Sequence, residues 1–180
     1  MNVRPLRSDE GQLLKDMSIK MCTEVPTAYR LTLAEAEART DQQWQQLAAE
    51  SASSSTMESF VGEFSGEPCG FVTGSVLPQY FLAMIEGREV EAADHSLTDT
   101  TILGSMWVAP HMRGQGLAQL LIQAVLTWAK ENNQHRVMLA VTRGNERALR
   151  CYVRFQFIPT GFALSHPVHD VVVDFMEYVL

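Results

Sequence analysis

The chain opens on a short alternation of apolar and polar positions, Val3 to Leu6, which predicts a first strand. From Glu10 to Thr23 the residues Leu13, Leu14, Met17, Ile19 and Met21 follow a helical distribution, and Pro26 stops it. A second helix is predicted over Thr32 to Ala49. Thr32 followed three positions later by Glu35 is the signature of a capping box at its start. Ser51 to Thr56 is polar and reads as a loop. The period then shortens to two. Phe60 to Phe64 and Gly70 to Val76 read as strands joined by a tight turn at Gly66-Glu67-Pro68. Tyr80 to Thr101 fits neither template. It begins apolar, then carries Glu86, Glu89, Glu91, Asp94 and Asp99, and is expected to be an insertion or irregular loop lining a substrate cleft.

The second half is plainer. Ile102 to Val108 reads as a buried strand. Gly116 to Asn132 reads as a helix, with Leu117, Leu120, Leu121, Ala124 and Trp128 forming one core-facing stripe. Val137 to Thr142 is a further buried strand, Glu146 to Arg154 a short helix, and Thr160 to Leu164 and Val171 to Val179 closing strands. No repeat, low-complexity tract or Pro/Gly-rich linker divides the chain. The expected architecture is a single α/β domain over residues 1–180, a mixed, largely antiparallel sheet with inserted helices.

Composition narrows the function classes. Of 180 residues, 46% are hydrophobic and 19% charged, enough for a sizeable core. The first residues, Met1 to Pro5, lack the apolar stretch of a signal peptide, and no apolar run approaches the roughly 20 residues that span a bilayer. The expectation is a soluble cytoplasmic protein with no membrane partner. Cys22, Cys69 and Cys151 are odd in number and widely spaced, which suits buried thiols and neither a disulfide framework nor a zinc site. His95, His111, His135, His166 and His169 show no ligand spacing, so no metal is assigned. A net charge of −7 repels phosphate backbones, which argues against nucleic acid and favours a cationic small molecule.

The chemistry concentrates after the buried strand, in Val108-Ala109-Pro110-His111-Met112-Arg113-Gly114-Gln115-Gly116-Leu117-Ala118. Pro110 ends the strand. Two glycines sit where the chain must reverse and begin a long helix, and they let backbone N–H groups approach a ligand closely. Those N–H groups have no partners inside the helix, and the helix dipole adds partial positive charge. The pattern is a pyrophosphate cradle with Arg113 nearby as a further donor. It is not a dinucleotide fingerprint, because the position three after Gly116 is Gln119, and it is not a P-loop, because G-K-[ST] is absent.

This segment resembles the GNAT-type N-acetyltransferase superfamily. Arg113-Gly114-Gln115-Gly116-Leu117-Ala118 matches that family's [RQ]-x-x-G-x-[GA] motif. Met106-Trp107-Val108-Ala109-Pro110 looks like its fourth strand, which ends in V-x-P. Asn145, Ala148 and Tyr152 match its N-x-x-A-x-x-x-Y pattern. The likeness is specific over about residues 102–158, and Pro68 to Gly74 is similar to the family's strand hairpin. One departure stands out. Where the family has a Gly-Phe pair soon after the tyrosine, this chain has Gln156-Phe157, which puts the local turn in question.

The resemblance implies a GNAT-like fold in which strands four and five splay apart, and acetyl-CoA as acetyl donor. It implies that backbone groups of Met106 and Val108, with Trp107 between them, bind the pantetheine arm like an added strand. Trp107's own side chain is most simply core. The N–H groups of Arg113, Gly114, Gln115, Gly116, Leu117 and Ala118 would hold the pyrophosphate. Asn145 would bond the pantetheine or a nearby backbone group, and Tyr152 would sit by the thioester sulfur as the catalytic residue. The implied acceptor is a primary amine. A protein or peptide amine is an alternative, as is a non-catalytic acetyl-CoA sensor, and a homodimer is a state many relatives adopt. An alkyl amine with a reference pKa of about 10.4 costs about 4.6 kcal/mol to deprotonate at pH 7. A base or an ordered water must therefore act first. Glu24, Glu63 and Glu91 are the candidates by rough position. A tyrosine phenol, with a reference pKa of about 10, is a weaker acid than a thiol near 8.5, so Tyr152 stabilises the sulfur by hydrogen bonding as much as by proton transfer.

Overall fold

A computed structural model of the chain describes residues 1–89 and 95–180. In chain order the elements are β1 (Asn2–Pro5), α1 (Gly11–Glu24), a 3-10 turn (Pro26–Ala28), α2 (Leu33–Ala38), α3 (Asp41–Ser53), β2 (Met57–Phe64) and β3 (Glu67–Pro78). They continue with α4 (Gln79–Ile85), β4 (Leu97–Val108), a second 3-10 turn (Pro110–Met112), α5 (Leu117–Glu131), β5 (Arg136–Thr142), α6 (Glu146–Arg154), β6 (Ile158–Ser165) and β7 (Val172–Val179). The strands form one mixed sheet in the order β1-β2-β3-β4-β5-β7-β6. β4 and β5 are parallel, whereas β1–β2, β5–β7 and β6–β7 are antiparallel. The expected mixed sheet with inserted helices is thus present.

Two of the expected elements differ. The single helix expected over Thr32 to Ala49 is two helices, because the chain caps itself twice. Thr32 and Glu35 form the expected capping box. Arg39 then turns extended (ψ 135°), and Thr40 with Gln43 forms a second box that starts α3. That helix runs on to Ser53, through the start of the expected loop. The stretch Tyr80 to Thr101 begins in a helix and ends in a strand. Tyr80 to Ile85 lies in α4, and Leu97 to Thr101 already belongs to β4. Glu91 and Asp94 lie outside the described residues.

The fold divides into two compact units, Met1–Thr73 with Ser105–Ala124, and Gly74–Gly104 with Val125–Leu180. In the first, α1 packs on α3, and Lys15 pairs with Asp41 at 2.7 Å. The start of α5 lies close on the strands. A Cβ built at Gly62 would stand 2.9 Å from a methyl of Leu117, and one at Gly70 2.8 Å from a methyl of Leu121. In the second, Leu77, Leu82, Ile85, Met138, Val173 and Phe175 form a buried cluster that seats α4. Arg136 reinforces it by bonding Glu86 at 2.9 Å and Glu177 at 3.1 Å.

The turn after α6 answers the question raised by Gln156. The N–H of Phe157 donates to the Tyr152 carbonyl at 3.1 Å, and that of Gln156 to Val153 at 2.9 Å. These two bonds define a Schellman motif, whose middle residue must be left-handed. Gln156 takes that role with φ 64°. Its usual apolar partner contact is present too, as the rings of Tyr152 and Phe157 meet edge to face with centroids 6.0 Å apart. The missing glycine therefore changes the strain and leaves the turn intact. A non-glycine residue here costs roughly 1 kcal/mol. Gln156→Gly is expected to raise the thermal midpoint by about 2–4 °C. A lower midpoint would mean that the glutamine side chain contributes more than its backbone costs.

Candidate active site

The parallel ladder fixes where the site begins. β4 pairs with β5 from Thr100–Arg136 to Leu103–Leu139. Two residues later Ser105 adopts φ 52°, a left-handed kink within the strand. The strand then continues through Met106, Trp107 and Val108. Each of these three takes part in a side-chain bond that reaches outside the strand. The Met106 carbonyl accepts from the Tyr29 hydroxyl at 3.0 Å. The Trp107 indole N–H donates to Glu24 at 2.9 Å, with the side chain buried as expected. The Val108 carbonyl accepts from Nε of Arg113 at 2.9 Å. Ala109 N–H donates to Cys69 at 2.8 Å, which keeps the end of β4 on β3.

Beyond Pro110 the chain makes one 3-10 turn and reverses. Gly114 and Gly116 have φ 75° and 93°, so both expected glycines occupy conformations that L side chains disfavour. A Cβ at either would meet no atom within 4 Å, so only the backbone angle demands glycine, and there is room over the turn. Helix α5 starts at Leu117 with no acidic residue in its first turn. The first N–H groups of a helix lack intrahelical acceptors and carry partial positive charge. Leu117 and Ala118 open this helix. Gln115 anchors the turn through a bond from its side-chain amide to the His111 carbonyl at 2.8 Å. The Arg113 guanidinium faces protein groups: besides Val108 it bonds Glu24, the last residue of α1. Glu24, one of the candidate bases, is thus held by an arginine and an indole. A second candidate, Glu63, is held by Arg4 at 2.8 Å. The third, Glu91, lies outside the described residues. Sequence reasoning missed Tyr29. Its only signal is its place in the short loop after Pro26, where the first helix has stopped.

In the second unit, Asn145 is the N-cap of α6, its Oδ1 accepting from Ala148 N–H at 3.2 Å. That bond explains the N-x-x-A spacing as helix capping, one of the two roles expected of Asn145. Tyr152 is 7% exposed, and Phe157, against which it packs, in turn meets Tyr178 at 5.6 Å. Asn145, Glu146, Leu149, Phe162 and Phe175 help line a cleft of about 360 Å³. Arg143 and Asp174 also line it and are paired at 2.5 Å.

The acidic stretch is less open than its sequence suggests. Glu86 bonds both Arg136 and Arg88. Burial pushes its carboxyl up, but the two guanidinium bonds outweigh that and hold it below its ordinary value of 4.5. Asp99 bonds His135 at 3.0 Å, which holds its carboxyl low. Among the described residues no group of three or more His, Cys, Asp or Glu side chains is placed to hold a metal, and no helix is long and apolar enough to cross a membrane.

A family model described as the Acetyltransferase (GNAT) family matches residues 21–157. No curated protein matches the chain significantly. Solved structures do. The ribosomal-protein-alanine N-acetyltransferase of Brucella melitensis is 19% identical, with TM-score 0.69 over 100% of both chains. A chimera of the Vibrio cholerae spermidine N-acetyltransferase SpeG with hSSAT is 16% identical, with TM-score 0.68 over 99% of this chain and 96% of that one. Arabidopsis thaliana NAA60, solved in complex with acetyl-CoA, is 15% identical, with TM-score 0.67 over 99% of this chain and 98% of that one.

The lowered Glu86 carboxyl sets a pH dependence. A depressed folded value contributes stability above the unfolded value and loses it as pH falls through the folded one. Glu86→Gln is expected to lower unfolding free energy at pH 7 by about 1–3 kcal/mol. The gap to wild type, read by urea unfolding, should close as the pH falls below 4.5, the carboxyl's ordinary value. A gap that stays constant with pH would assign the loss to packing rather than charge.

Proposed function

Because the chain belongs to the GNAT acetyltransferase family, we propose that this acetyl-CoA-dependent acetyltransferase moves the acetyl group to a primary amine of a small molecule. The observation that carries the reading is the pair of left-handed glycines, Gly114 and Gly116, directly before α5. Both leave open space where a side chain would stand, and the N–H groups that open α5 lack intrahelical acceptors, which suits a diphosphate. The residues present therefore fit acetyl-CoA. The N–H groups from Gly114 to Ala118 hold its pyrophosphate, that of Arg113 being already bonded to the Pro110 carbonyl at 3.3 Å. Met106, Trp107 and Val108 offer backbone groups to its pantetheine arm, the Met106 and Val108 carbonyls through the lone pairs that Tyr29 and Arg113 leave unused, and the end of the β4–β5 ladder at Leu103 supports that role. Asn145 orients the start of α6, and Tyr152 donates a hydrogen bond to the sulfur.

Bound acetyl-CoA supplies the thioester whose acetyl group is transferred. The chain's part is to align amine and thioester, which is worth roughly 7–11 kcal/mol, and to keep the amine unprotonated. With Glu24 and Glu63 already bonded to cations and Glu91 outside the described residues, that proton is passed through an ordered water to bulk solvent. The amine class is supported by the names of two structural neighbours, one acting on a ribosomal-protein alanine and one on spermidine. Both acceptors present an amine nitrogen. A cationic acceptor draws support from the net charge of −7 and none from Glu86, whose charge is matched by Arg136 and Arg88, or from Asp99, whose carboxylate already bonds His135.

At 100 times its dissociation constant, acetyl-CoA is expected to add about 2.7 kcal/mol of stability. The thermal midpoint should then rise by roughly 5–10 °C. Gly116→Ala should lose most of that rise. Tyr152→Phe should keep it while amine-stimulated thiol release falls, scored over polyamines, amino acids and peptide N-termini. Absence of any shift in the wild type would remove the cofactor reading. A shift without thiol release for any amine would leave a binding module.

A further inference from the structure

Glu24 is the last residue of α1, yet its carboxylate reaches both sides of the cofactor turn. One oxygen accepts from the Trp107 indole at 2.9 Å, near the end of β4. The other accepts from the Arg113 guanidinium, immediately before Gly114. Nε of the same guanidinium reaches back to the Val108 carbonyl at 2.9 Å. The segment from Trp107 to Arg113 is thus drawn closed by side-chain bonds that converge on one carboxylate. Glu24 and Arg113 are only about a quarter exposed, at 26% and 25%, so the pair is partly shielded from screening water. The guanidinium is held through its Nε and one Nη, and Glu24 matches its charge. Attraction for a diphosphate then rests on the backbone N–H groups beyond it, and on how accurately the turn aims them.

We propose that Glu24 is a positioning residue for the pyrophosphate-binding turn: by pinning Trp107 and Arg113 together, it fixes the direction of the N–H groups from Gly114 to Ala118. This rests on the acetyl-CoA reading above. It also replaces the role of general base that the sequence position of Glu24 suggests. α1 is held in turn by its packing on α3, so the aim of the turn is set from the N-terminal helices. Because Glu24 acts chiefly through the turn at Arg113, its loss should be felt far more by ligands that carry the diphosphate than by those that lack it.

The test compares coenzyme A with pantetheine, which has no phosphate, by titration calorimetry on wild type and Glu24→Gln. The variant keeps the side chain's size and one acceptor oxygen but loses its charge. The Kd for coenzyme A should rise about tenfold and that for pantetheine by less than about twofold, the usual worth of a lost charge-assisted bond. In an Arg113→Gln background the Glu24→Gln change should cost much less than in the wild type, since the pinning needs both residues. Equal weakening for both ligands would show a general structural role and overturn the proposal. So would an unchanged Kd, or tighter coenzyme A binding, which would mean that Glu24 withholds a cation from the phosphates. If the wild type fails to bind coenzyme A, the acetyl-CoA reading falls and this proposal with it. If the wild type binds and the ratio is unchanged, only this proposal falls. Should Glu24→Gln not fold, Glu24→Asp, one methylene shorter, carries the same expectation.

Discussion

A strand that stops pairing with its neighbour still has backbone groups to satisfy, and that obligation organises the first unit. The ladder between β4 and β5 ends at Leu103–Leu139, and Ser105 kinks the strand at φ 52°. Past the kink, the Met106 and Val108 carbonyls are met by side chains rather than by the parallel partner. An unpaired buried carbonyl would cost about 1–3 kcal/mol. Tyr29 and Arg113 remove that cost while leaving the backbone of an irregular strand in place. The donors come from either side of the problem, one from the loop after α1 and one from the turn before α5.

The elements most legible in the sequence are those in which a start or stop signal accompanies the periodicity. The stripe from Leu117 to Trp128, the capping box at Thr32 and the break at Pro26 each gave an element within a residue or two of its observed end. The helix break at Arg39 was hidden for a physical reason. Thr40 and Gln43 form a box of the same kind as Thr32 and Glu35, but they lie inside an otherwise continuous helical pattern. Periodicity does not register an interruption that keeps the face. The glycine turn was legible because only glycine tolerates the angles of Gly114 and Gly116 cheaply. The bonds of Glu24 and Tyr29 were not, because their partners lie 83 and 77 residues away in sequence. No local pattern encodes contacts of that separation.

Charge shows the same limit. The acids after Tyr80 look from the sequence like a surface offered to a cation. Folding spends Glu86 on Arg136 and Arg88, and Asp99 on His135. Arg136 in turn joins the end of α4 to β7 through Glu177. Glu86 thus acts first as internal bracing for the second unit. Only the folded arrangement distinguishes a carboxylate that attracts a ligand from one already neutralised by its own chain.

Gln156 has a consequence for how kin of this chain are recognised. The letter at that position differs from the family's glycine, yet the torsion is the one glycine would have supplied, and both closing hydrogen bonds are made. What the fold requires there is a handedness, which several residue types will adopt at a modest energetic penalty. A search pattern written in amino-acid letters treats the substitution as a mismatch. One written in backbone angles would count it as a hit, and would gather distant sequences in which the spelling has drifted while the bend has not.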